Sequence, residues 1–141
     1  MTSMAGATGP IPDNAAHGDL RPLRVVLVLQ AFFGLLWGIS MLFFARQIEL
    51  GETSGQHIEK IAIEGAAHMM LVFGAILVWR NPYQSKSALQ MMIFLNALWV
   101  ITDLVYIPLL GLSDLDFYAK VIVNAVLAVG LFFTGRRAGL I

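Results

Sequence analysis

Cysteine is absent and charge is scarce: none of the 141 residues is Cys, and Asp, Glu, Lys and Arg together make up only 13% of them. The first absence excludes disulfides, thiolate metal sites and cysteine nucleophiles. The second, beside a hydrophobic content of 58% and a mean hydropathy of +0.77, argues against a water-soluble globular domain. No charge of one sign predominates either. Nine Lys plus Arg balance nine Asp plus Glu, which leaves no broad cationic field for nucleic acid. Missing too are a phosphate-binding glycine loop, HExxH, GxSxG and a pair of ExxH motifs. A di-iron centre needs about four carboxylates and two histidines, whereas the apolar segments offer only Glu64, Asp103 and His68. No metal and no cofactor is expected.

What the chain does have is apolar length. Residues 1–22 are rich in Gly, Ala, Thr, Asn and Pro without apolar periodicity, and read as a disordered cytoplasmic tail. Residues 23–137 then contain four apolar runs, at about 25–45, 58–79, 87–110 and 117–135. Each approaches the roughly 20 residues that a helix needs to cross about 30 Å of hydrocarbon. The first follows Arg21 and Arg24, exceeds a signal-peptide core in length and has no small-residue cleavage pattern behind it. Gly51, Ser54 and Gly55 break the chain after the first run, Asn81 and Pro82 after the second, and Gly111, Ser113 and Asp114 after the third. Pro108 falls in the last turn of the third helix. The predicted fold is an all-α, integral membrane four-helix bundle. Arg21, Arg24, Arg80, Lys86, Arg136 and Arg137 lie on one side, against Arg46, Lys60 and Lys120 on the other. This asymmetry places both termini in the cytoplasm. The opposite face carries Glu49, Glu52, Glu59, Asp114 and Asp116.

Ionisable side chains at membrane depth cost about 2.5 to 3.5 kcal/mol on insertion scales, so they face a bundle interior or a cavity. At 1.5 Å per residue, Glu64 lies roughly 9 Å and Asp103 roughly 8 Å below the outer boundary. His68 and Asn96 fall deeper, and Asn124 returns to about the level of the carboxylates. Glu64 and His68 are one helical turn apart, and Asn96, Trp99, Asp103 and Tyr106 share another helix face. His57 and Lys60 extend the Glu64 face towards the outer loop. On the first helix Gln30, Gly34, Trp37 and Met41 share a face, with Trp37 near the depth of Trp99. Lys120, one turn from Asn124, reaches either the outer surface or a carboxylate, Asp103 or Glu64. Each polar residue also has a plainer role as interhelical glue, Gln30 above all, and the tryptophans as packing. Gly34 and Gly38 spell Gly-x-x-x-Gly, a spacing that brings helices close within a bundle or between protomers.

The run Gly34-Leu35-Leu36-Trp37-Gly38, a Glu-bearing second helix ending in Val78-Trp79-Arg80, and Leu95-Asn96-Ala97-Leu98-Trp99 leading to Asp103 resemble small four-helix bacterial membrane proteins of the DoxX-like and BphX-like kind. That resemblance spans about 23–137 and implies a bundle in a bacterial inner membrane. Three functions follow from the residues. The first is a polar pocket in the extracytoplasmic half, binding a lipophilic small molecule or a larger membrane complex through Asn96, Trp99, Asn124, Trp37 and Tyr106 beside Glu64, His68 and Asp103. The second is acid/base catalysis on an apolar substrate (isomerisation, cyclisation or quinone chemistry) with Glu64, Asp103 and His68 as catalytic groups. The third is proton-coupled transport by a dimer, one form of the homo-oligomer or larger membrane complex that the chain could join.

Overall fold

The computed structural model describes residues 18–44, 55–110 and 115–141. Expectations for residues 1–17, for the acidic outer loops with Arg46, Glu49, Glu52 and Asp114, and for the side chains of His57 and Asp116 lie outside the described residues. The described chain is helical without a strand: α1 (Arg21–Phe43), α2 (Gly55–Arg80), α3 (Lys86–Leu110) and α4 (Leu115–Arg137). Lengths of 23, 26, 25 and 23 residues correspond to roughly 34 to 39 Å. All four helices are long and apolar enough to cross a membrane.

Their ends follow from local chemistry. α1 starts ahead of its apolar run, at Arg21, because Pro22 sits in the first turn, where a missing N–H goes unneeded. The Arg21 N–H donates instead to the Asp19 carboxylate at 2.9 Å. Arg21 and Pro22 thus belong to α1 rather than to a tail. α4 ends in a Schellman turn around Gly139, whose φ of 72° suits glycine. There the Leu140 N–H donates to the Gly135 carbonyl and the Gly139 N–H to that of Arg136, both at 3.0 Å. The turn tucks Ala138 and Leu140 into the core, which therefore continues past residue 137.

The helices form a closed ring in chain order. α1 packs extensively on α2 and α3 on α4, with thinner seams between α2 and α3 and between α4 and α1. The diagonal pairs, α1 with α3 and α2 with α4, do not approach at backbone level among the described residues. Three glycines set the α1/α2 contact. A methyl added at Gly34 would meet the Val72 side chain and the His68 carbonyl, and one at Gly38 the Met69 side chain and the Gly65 carbonyl. One at Gly65 would lie 2.9 Å from Met41 Cβ and 3.0 Å from the Leu42 nitrogen. The Gly-x-x-x-Gly spacing is therefore used inside the bundle.

Outside and inside are inverted relative to a soluble domain. Phe32, Phe73, Phe94, Ile101, Val126 and Phe133 point outward, each more than half exposed, while Gln30, His68, Asn96 and Asn124 are buried. An apolar belt this broad is untenable in water and suits hydrocarbon. At the end holding both described termini, Leu23, Leu27, Leu71, Ala75, Val78, Leu89, Met92 and Leu131 fill an apolar core. The polar residues lie beyond it, towards the α1 C-terminus.

Candidate functional site

The polar residues occupy three successive levels, and at each level a contact crosses from the α1/α2 half to the α3/α4 half. At the innermost level, Asn96 Nδ2 donates to Gln30 Oε1 at 2.8 Å and to the Met92 carbonyl at 2.8 Å. This bond joins the diagonal helices α1 and α3. At the middle level, the His68 ring lies between two tryptophans: it stacks on Trp99, with centroids 4.3 Å apart and planes at 15°, and meets Trp37 edge-on at 5.6 Å and 68°. At the outermost level, the Lys120 ammonium pairs with the Glu64 carboxylate, joining the other diagonal, α2 with α4. Asp103 is half-buried, with Lys120 and Glu64 within electrostatic range of both it and His68.

Helix geometry aligns the remaining groups. α2 and α4 run in the same direction, so His68 and Asn124, each four residues on from a member of the Glu64–Lys120 pair, stand at one level. α1 and α3 also run in parallel. Trp37 and Asp103, each seven residues on from a member of the Gln30–Asn96 pair, likewise correspond. The half of the interior away from the described termini, outer in the sense of its distance from them, thus brings Trp37, Glu64, His68, Trp99, Asp103, Lys120 and Asn124 towards one seam.

The His68 tautomer is set by its own helix. Nδ1 lies 2.9 Å from the Glu64 carbonyl, which can only accept, so Nδ1 carries the proton and donates it. In the neutral ring Nε2 is then an acceptor. It is buried and has no partner. Asp103 Oδ2 and Asn124 Nδ2 are buried and unpartnered as well, as is Asn96 Oδ1 one level in. Native interiors satisfy about 90% or more of such atoms, and each orphan costs about 1 to 3 kcal/mol. Four on one polar seam is a concentration of unmet hydrogen-bonding capacity that the protein alone does not explain.

Of the residues expected at the site, Tyr106 is half-exposed and stands apart from the buried set. Asn96 is committed on its donor side to Gln30 and Met92, the adhesive role. Lys120 has the stronger place: of its possible directions, the structure has the inward one, onto Glu64. Gln30 takes the interhelical role expected of it, but its partner, on the opposite helix, is a relation that periodicity along one helix does not encode. Lys60, expected on the Glu64 face, is exposed. Among the described residues no three His, Asp or Glu side chains group so as to hold a metal ion. No family model, no characterised protein and no solved structure matches this chain.

Proposed function

We propose that this chain is a small integral membrane protein of a bacterial inner membrane, with both termini cytoplasmic, whose outer polar seam binds the polar end of a lipophilic molecule. The excess of Arg and Lys at the end holding Arg21, Arg24, Arg80, Lys86, Arg136 and Arg137 supports the orientation. One observation carries the binding function: His68 Nε2, Asp103 Oδ2 and Asn124 Nδ2 are buried, on three helices, without partners. They offer acceptors and a donor together. The matching ligand carries a hydroxyl, or a hydroxyl beside a carbonyl, on an apolar body that lies along Trp37 and Trp99 and leaves between the two halves, where backbone packing is thinnest.

The test separates a binding group from a structural one. Asn124→Leu removes an unmet donor, so the ligand-free protein in detergent should unfold at the same temperature or be stabilised by about 1 kcal/mol. Asn96→Leu breaks a satisfied bond and should destabilise by about 1 kcal/mol. Equal losses in thermal unfolding for both variants would mean that Asn124 is ordinary interhelical glue.

A specific feature also supports acid/base chemistry at the same place. Glu64 is neutralised by Lys120, whereas the Asp103 carboxyl has a free buried oxygen. In that scheme Asp103, rather than Glu64, is the acid or base, with His68 relaying the proton.

A further inference from the structure

A second site lies at the opposite end of the bundle, on its outer surface. Between α1 and α2 runs an apolar groove of about 180 Å³, lined by Leu27, Val28, Ala31, Ala75, Ile76 and Trp79. Leu27 and Ala75 are buried and form its floor, while Val28 and Ile76 stand half-exposed as its walls. The groove exists because Ala31 and Ala75 are small where larger side chains would meet. One turn beyond it, the Arg24 guanidinium sits 5.4 Å from the centre of the Trp79 ring. Arg24 is exposed and its charge has no acidic partner among the described residues. Asp19, the one acidic side chain at this end among the described residues, accepts the Arg21 backbone N–H. Arg21, Arg80, Lys86, Arg136 and Arg137 share the same end, so its field is strongly positive.

The geometry points to a phospholipid site: one acyl chain lies in the groove against Trp79, and an anionic headgroup is held by Arg24, which the indole face positions from below. Charge complementarity selects the occupant, since an apolar slot continuous with an interfacial cation that has no acidic partner among the described residues matches a molecule with a hydrocarbon tail and a negative head. A wholly apolar protein helix would leave Arg24 unanswered. The inference rests on the chain spanning a membrane, and it is independent of the polar seam.

The test is native mass spectrometry of the full chain released from mixed micelles containing equal phosphatidylglycerol and phosphatidylcholine. The wild type should retain phosphatidylglycerol in preference, and Arg24→Gln should reduce that preference about fivefold. Val28→Trp, which fills the groove from its exposed wall, should lower retention of both lipids. Inorganic phosphate should not displace the bound lipid. Unchanged preference in Arg24→Gln, unchanged retention in Val28→Trp, or displacement by phosphate would each overturn the site. A wild type that is monomeric in water without detergent would instead overturn the membrane assignment itself.

Discussion

Gly65→Leu abolishes cooperative unfolding in detergent, at an expected cost of about 3 kcal/mol or more. The reason is what surrounds the missing side chain. A Cβ at Gly65 would sit 3.0 Å from the Leu42 backbone nitrogen and 3.1 Å from the Gly38 carbonyl, as well as against Met41 Cβ. Backbone atoms of α1 cannot swing aside, so the helices must separate along the most extensive interface of the bundle. In a membrane this costs packing that lipid tails do not fully replace. Gly74→Ala is the control. Its added methyl would meet Met92 Cγ and Sδ at 3.2 Å, the end of a flexible side chain, and the expected loss is under about 1 kcal/mol. Circular dichroism during thermal unfolding reads both. A Gly65→Leu protein as stable as Gly74→Ala would mean that α1 and α2 are not held as described.

Lys120→Met has the next largest effect. The Lys120 and Glu64 side chains are 15% and 32% exposed, so the pair is shielded more than a surface ion pair and less than a core one. Loss of the cation leaves Glu64 unpaired within electrostatic range of the half-buried Asp103. The expected destabilisation is about 2 to 3 kcal/mol, between the surface and buried limits. Replacing both partners, Glu64→Leu with Lys120→Leu, removes the stranded charge and should recover all but about 1 kcal/mol. A double-mutant cycle on thermal or chemical unfolding measures this directly. If Lys120→Met cost no more than the double variant, the diagonal pair would not be holding the halves together.

Much of this architecture was legible because hydrocarbon imposes a simple rule. Four apolar runs separated by Gly, Pro and Asn must become four helices, and counting 1.5 Å per residue is enough to gather Glu64, Asp103, Trp37 and Trp99 into one half of the bundle's length. Two kinds of information were not available from that count. One is the order of helices around the ring. Gln30 had an interhelical role but no named partner until α3 stood across from α1, and Lys120 had several directions until α4 stood across from α2. The other is local termination. Apolar patterning cannot show that Asp19 receives the Arg21 N–H and lets α1 begin among charged residues, nor that Gly139 turns Leu140 back into the core. Both depend on one or two hydrogen bonds that hydropathy does not weigh. The sandwich of His68 between Trp37 and Trp99 needed both depth and ring order.

On the proposed reading, the orphaned acceptors and donor divide the interior by purpose. At the inner level Asn96 Nδ2 has its acceptors and the interior beyond is apolar, as in a scaffold. The outer levels spend Lys120 on Glu64 and leave His68, Asp103 and Asn124 with capacity to bind. The measurement that bears most directly on this is mass spectrometry of apolar compounds extracted from the protein after purification in mild detergent, for the wild type beside His68→Phe with Asn124→Leu. The wild type should carry a hydroxyl-bearing lipophilic compound at near stoichiometric amount, and the folded double variant should lack it. The same compound retained equally by both, or none in either beyond bulk lipid, would contradict a binding role for the seam.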